Sequence, residues 1–231
     1  IAIGVVILPQ LSKYIQSKKK SKILLIQNKA LELSLFLTLP ASAALLIASE
    51  EIISALFGYG SFDQESAINS GKALYYFALG LPAFSLIKVF SSFFFANHDT
   101  KIPFYISFFS VLTNIVISIS YFNEIGFIII PIATTISSWL NAILLFSFLK
   151  NRDLFSFNNI FLVRFVKIII ASLLMAIFFN FLITYFKYEL AFNQSIKSFY
   201  LILSIILSLL LYLLVSYWIK AFKTSDIKLK Y

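Results

Sequence analysis

Lys88 asks more of its surroundings than any other residue in this sequence. It stands in a run, 67–95, that is mostly apolar, and a charge sunk in hydrocarbon costs at least ~2.5–3.5 kcal/mol. The polar turn 97–101 starts nine residues on, so Lys88 lies roughly 13 Å from it at ~1.5 Å per helical residue. Two readings stand. The side chain snorkels its ammonium toward the headgroups, or it faces an internal cavity and meets an anion such as a phosphate. A second set of residues is uncharged. Thr113, Asn114 and Ser118 fall in one apolar run, and Thr134, Thr135, Ser138 and Asn141 in the next. Asn114 and Ser118 share a helix face, as do Thr134, Ser138 and Asn141. Such groups hydrogen-bond between neighbouring helices. A small-ion site built from Asn114, Ser118 and Thr134 is the rival reading, weakened by the lack of a carboxylate. Ser204, Ser208, Tyr212 and Ser216 recur every four residues and read as a packing face. His98 and Asp99, in the polar turn, read as hairpin hydrogen bonding and capping.

Other chemistries lack their residues. There is no Gly-rich phosphate loop, no HExxH and no paired-carboxylate motif. The one His lies in a turn, which leaves no Ser/His/Asp set. There is no Cys, hence no disulfide framework and no thiolate metal site. No cofactor and no metal are expected, and a coupling ion or the membrane potential is left open. The acids Glu50, Glu51, Asp63, Glu65, Glu124 and Glu189 are dispersed along the chain. A membrane enzyme acting on polyprenyl phosphate would need acids or His clustered at one membrane face.

The elements that hold these residues follow from composition and run length. The chain is 60% hydrophobic and 13% charged, against about 45–50% and about 25% in soluble domains. Mean hydropathy is +0.92. A bilayer core of ~30 Å needs ~20 helical residues. Continuous apolar runs of that length exclude the alternation of a barrel, and only helices then satisfy the backbone in lipid. The expected fold class is an all-α integral membrane protein: a polytopic bundle of about six full transmembrane helices plus the end of one more.

In order, residues 1–11 read as the end of a spanning helix with Pro9 near its exit, so the chain is expected to begin partway through a helix. Residues 12–29 read as a loop carrying Lys13, Lys18, Lys19, Lys20, Lys22 and Lys29. A helix over 30–48 contains Pro40, a bend that bundles tolerate when neighbours supply partners. Residues 49–60 form a short amphipathic helix at the far interface. The helix over 67–95 carries Gly80 and Pro82 at its centre, a kink or hinge. Pro103 fits the first turn of the next helix, which ends near Phe122, with 123–126 as a tight turn. Helices follow over 127–149, 161–186 and 196–219, with 153–160 as a linker and a basic tail holding Lys220, Lys223, Lys228 and Lys230. The domain expectation is 1–150 as one group of helices and 151–231 as two additional helices and the tail.

The net charge of +9 invites a nucleic-acid reading, but its distribution answers that. Lys and Arg crowd alternate short segments, which places those segments and the C-terminus in the cytoplasm. Only Lys72, Lys187 and Lys197 fall in segments assigned to the outside.

The run "GLPAFSLIKVFSSFFFANHDTKIP" at 80–103 resembles the hallmark of the lipid II flippase family (MurJ/MviN). Gly80, Leu81, Lys88, Val89, Phe94 or Phe95, Ala96, Asp99, Thr100 and Pro103 match in order. "VVILPQLSK" at 5–13 and "LPASAALLIASEEIISALFGYGSF" at 39–62 are also similar to family segments, in the same order. Ile102 stands where many members have Thr. The resemblance implies part of a fourteen-helix transporter of the superfamily of multidrug, oligosaccharidyl-lipid and polysaccharide exporters. In that frame 1–150 is the end of helix 8 to helix 12 of the second lobe, and 151–231 is helices 13 and 14. It implies a multi-pass protein of the bacterial inner membrane, serving peptidoglycan and cell wall biogenesis and so cell shape. Its expected activity is to flip undecaprenyl-linked peptidoglycan precursor from the inner to the outer leaflet by alternating access, and it would not be an enzyme. The implied partners are that precursor, membrane lipids and the N-terminal half of the same protein; nucleic acid is not among them. Lys88 matches the family lysine and becomes the substrate-side candidate, and Pro40, Gly80 and Pro82 the hinge candidates. The alternatives are another exporter of the superfamily, the polyprenyl-phosphate enzyme and a bundle without transport.

Overall fold

Among residues 2–17 and 19–221, which the computed structural model describes, every regular element is helical. The helices are α1 (Ala2–Gln16), α2 (Lys20–Ile47), α3 (Ser49–Phe57), α4 (Gln64–Ala96), α5 (Lys101–Ile125), α6 (Ile129–Asn151), α7 (Asn159–Tyr185) and α8 (Lys197–Trp218). Five continuous helical stretches are long and apolar enough to cross a membrane. One of them, Lys101–Asn151, has 51 residues and is α5 and α6 joined by a single 3-10 turn, Gly126–Ile128. The six full helices of the sequence reading are therefore α2, α4, α5, α6, α7 and α8, and the 15-residue α1 precedes them.

Two boundaries differ from expectation. The basic segment 12–29 is not one loop. Helix α1 runs past Pro9 to Gln16 and α2 already begins at Lys20. Lys, Gln and Leu are good helix formers, Leu11 is fully buried, and Lys22 lies over the Tyr14 ring at 5.3 Å. The turn after α5 also comes later. The helix continues to Ile125, and Gly126 then takes φ +72°, a conformation open to glycine at little cost. Lys18 and the tail lysines Lys223, Lys228 and Lys230 lie outside the described residues.

The chain forms two compact units, Ile1–Thr38 with Leu79–Leu162, and Leu39–Ala78 with Val163–Tyr231. In the first, α5 and α6 pair as an antiparallel hairpin. Asn114 Nδ2 donates to Thr134 Oγ1 at 3.1 Å and Asn141 Nδ2 to Ser107 Oγ at 3.5 Å, and both pairs are symmetrical about residue 124. The segment after α6 is pinned to α2: Gln27 Nε2 donates to Leu154 O at 2.9 Å and Asn28 Nδ2 to Ser156 O at 3.0 Å. Asn28 Oδ1 accepts the Asn158 N–H. Rings of Phe90, Phe93, Phe146, Phe155 and Phe157 pack around this segment, so 153–158 is irregular but held.

In the second unit a core of Ala48, Ala55, Phe179, Ile183, Leu190 and Leu201 joins the end of α2, α3, the end of α7 and the start of α8. On α8, Lys197, Leu201, Ser204, Ser208, Tyr212 and Ser216 are buried, while Leu209, Leu213 and Leu214 are exposed. Small polar residues inside and aliphatic ones outside is the arrangement for lipid, where apolar exposure carries no cost.

Candidate functional site

The centre of α4 is built around a proline. Pro82 has no N–H, so the carbonyl four residues earlier, Ala78 O, loses its helical donor. Ala78 is 1% exposed, and an unsatisfied carbonyl there would cost about 1–3 kcal/mol. The Ser42 hydroxyl of α2 supplies the donor, at 2.6 Å. The next carbonyl, Leu79 O, accepts from Trp139 Nε1 of α6 at 3.0 Å. Gly80 then brings α6 close: a Cβ there would lie 2.9 Å from Thr135 Oγ1 and 2.9 Å from the Phe84 ring. Ser42 of α2 thus serves α4 within the second unit, and Trp139 and Thr135 of α6 lie against it within the first. The chain crosses between Thr38 and Leu39, beside Pro40, and again between Ala78 and Leu79, beside Gly80. Pro40, Gly80 and Pro82 are all buried.

Lys88 lies on α4 between Pro82 and the turn. It is exposed and forms no hydrogen bond or ion pair with other described residues. Ser85, one turn before it, shares a hydrogen bond with Ser34 of α2. Past Ala96 the turn is held by Asn97, whose Nδ2 donates to Phe93 O at 2.8 Å, and by Asp99. His98 adopts φ 58°. Asp99 Oδ1 accepts the N–H groups of Lys101 and Ile102 at 3.1 and 3.2 Å, and its Oδ2 pairs with Arg152 at 2.8 Å. The capping read from the sequence is present, and it uses the backbone of Ile102, so that side chain is free to vary.

Of the polar intramembrane residues, Asn114 and Thr134 meet. Ser118 lies one turn from Asn114, and its hydroxyl is buried without a partner among the described residues. Lys88 and this group lie on different helices of the first unit, and no contact joins them.

Lys197 stands at the start of α8, where the expected helix begins, and the structure adds that it is buried to 1% exposure. Its Nζ donates to Gly58 O at 2.7 Å and Phe192 O at 2.6 Å. It also lies 4.6 Å from the Tyr59 ring centroid and 4.4 Å from that of Phe192, within cation–π range. Gly58 is required, because a Cβ would sit 2.5 Å from the backbone oxygen of Ser54. Ser198 donates to Ala55 O and meets the Tyr59 hydroxyl. The repeat noted at Ser204–Ser216 carries the signal: continued backward by a helical step of three to Leu201 and then of four, it reaches Lys197 on the same inward face.

Apolar spanning helices with serines and asparagines turned inward define a polytopic helical membrane protein. The family model described as lipid II flippase MurJ matches residues 1–205. A "Probable lipid II flippase MurJ" of Rhizobium meliloti (strain 1021) is 38% identical over 176 residues, 76% of this chain and 33% of the relative. The protein of the same name from Rickettsia prowazekii (strain Madrid E) is 36% identical over 143 residues, 62% of this chain and 28% of the relative. A solved structure titled "Lipid II flippase MurJ, inward closed conformation" superposes with a TM-score of 0.73 at 25% identity, covering 94% of this chain and 42% of that one. The chain belongs to the lipid II flippase MurJ family. It spans about a third of the length of the curated relatives it matches.

Proposed function

We propose that the protein carrying this chain moves undecaprenyl-pyrophosphate-linked peptidoglycan precursor from the inner to the outer leaflet of the bacterial inner membrane, by alternating access and without catalysis. The family match across residues 1–205 is the observation that carries the reading. The physics is consistent with it. A large anionic headgroup cannot cross hydrocarbon unaided, and a hydrated cationic cavity lowers that barrier while the lipid tail stays in an apolar groove. Within this chain Lys88 is the proposed contact for the anionic headgroup. Its ammonium is uncommitted to any described residue, which suits a group that must bind and release.

Residues 1–150 are assigned to the second lobe and 151–231 to two further helices and a basic tail. Pro40, Gly80 and Pro82 are the proposed hinges, supported by their places beside the crossings of the chain between its two compact units. Asn114, Ser118 and Thr134 are the proposed oxygen ligands of a coupling ion, supported by the partnerless Ser118 hydroxyl. The 97–101 turn and the C-terminus face the cytoplasm, and the remaining partner is the N-terminal half of the protein. The test is rescue: the full-length gene should restore growth to cells depleted of their own lipid II flippase. A full-length protein that inserts at normal abundance and fails to rescue overturns the reading.

A further inference from the structure

The second unit carries a polar feature that flipping does not use. A pocket of about 130 Å³ lies between α3, the first turns of α4 and the segment joining α7 to α8. Its lining is mixed: Glu50, Glu51 and Ser54 of α3 and Gln64 of α4 bear oxygens, and Ala67, Ile68, Leu190 and Phe192 are apolar. Neither glutamate forms an ion pair among the described residues. Burial holds the Glu51 carboxyl above the usual carboxylate range against a backbone hydrogen bond that lowers it, and the Glu50 charge adds to the rise. Ser54 is 6% exposed, and its hydroxyl has no partner among the described residues. Lys197 stacks on Phe192 of this lining but gives its N–H groups to two carbonyls.

This lining has negative charge, an idle hydroxyl and a hydrocarbon half. A bare divalent ion asks for six or more oxygens, and half of this lining offers none. A charged nitrogen on an alkyl stem uses both halves, and an ammonium brings three N–H donors. We propose that this pocket binds a primary alkylammonium group, its nitrogen on Glu50, Glu51 and the Ser54 hydroxyl and its stem against Ile68, Leu190 and Phe192. An ethanolamine lipid headgroup and a free amine share this chemistry. Leu56 and Phe57 of the same helix are exposed, which suits a site at the membrane interface. The assignment is independent of the transported substrate.

The experiment is calorimetric titration of the purified full-length protein with pentylammonium chloride, and in parallel with calcium chloride, at neutral pH. Saturable pentylammonium binding is expected, weakened roughly tenfold or more by Glu51→Gln and by Glu50→Gln, and unchanged by Glu124→Gln. Glu50 is exposed, so Glu50→Gln keeps the test decisive even if Glu51→Gln fails to fold. The source is then read in nanodiscs. Retention of phosphatidylethanolamine over phosphatidylcholine that is lost in Glu50→Gln assigns the headgroup. Equal pentylammonium affinity in both lipids assigns a free amine. No saturable pentylammonium binding, equal affinity in Glu50→Gln, or calcium binding in its place overturns the proposal.

Discussion

A lysine buried to 1% exposure needs acceptors as close as water would be, and Lys197 has them in the carbonyls of Gly58 and Phe192. Removing the ammonium strands both. Lys197→Met should destabilise the fold by on the order of 2–4 kcal/mol, seen as a lower thermal midpoint in detergent. An unchanged midpoint would contradict the clamp. Glu51 gives a prediction of the opposite sign. Its carboxyl is raised mainly by burial, so the folded state binds the proton more tightly than the unfolded chain. Stability then grows as pH falls through that raised value and levels off below the ordinary carboxylate range. Glu51→Gln, which mimics the protonated form, should be the more stable protein at neutral pH and lose that advantage in acid. Unfolding midpoints measured across pH check this. An advantage that widens in acid would mean that the carboxylate, not the acid, suits the fold.

Among the elements, α4 shows how a helix keeps a proline. The Ser42 hydroxyl takes over the Ala78 carbonyl that Pro82 leaves without an N–H. A double-mutant cycle isolates this. Ser42→Ala should cost about 1 kcal/mol with Pro82 present and much less in Pro82→Ala, where the helix regains its own donor. Additive effects would mean that the two residues are independent. The same helix shows what was legible in the sequence. Hydrophobic run length located the six long apolar helices of the described residues, and the Gly80–Pro82 pair was visible as residue types. Its repair was not, because Ser42 lies 36 residues from Ala78 and nothing local marks the pair. The burial of Lys197 is hidden for a related reason. A lysine at the start of an apolar run carries no local mark of burial, and its acceptor at Gly58 is 139 residues away. The segment 12–29 read as a loop because its lysines signal orientation, yet their aliphatic stems are compatible with helix on both sides.

For the whole molecule, the account stands on orientation and on the cation within the wall. This chain has no cysteine, so single cysteines can report sides in a full-length protein freed of any others. With an impermeant maleimide on intact spheroplasts, Ser61→Cys should label at once. His98→Cys should label only after the membrane is opened. The reverse pattern would invert the proposed direction of transport.

Transport itself is the sharper test. Lipid II exposed on the outer leaflet should be quantified in cells whose only flippase is the full-length protein, either unaltered or carrying Lys88→Met or Lys88→Arg. Exposure should fall by roughly tenfold or more in Lys88→Met at unchanged protein abundance, and Lys88→Arg should retain most of it. Equal exposure in all three would contradict a role for Lys88 in carrying the anionic headgroup. No exposure with the unaltered protein would contradict the flippase assignment.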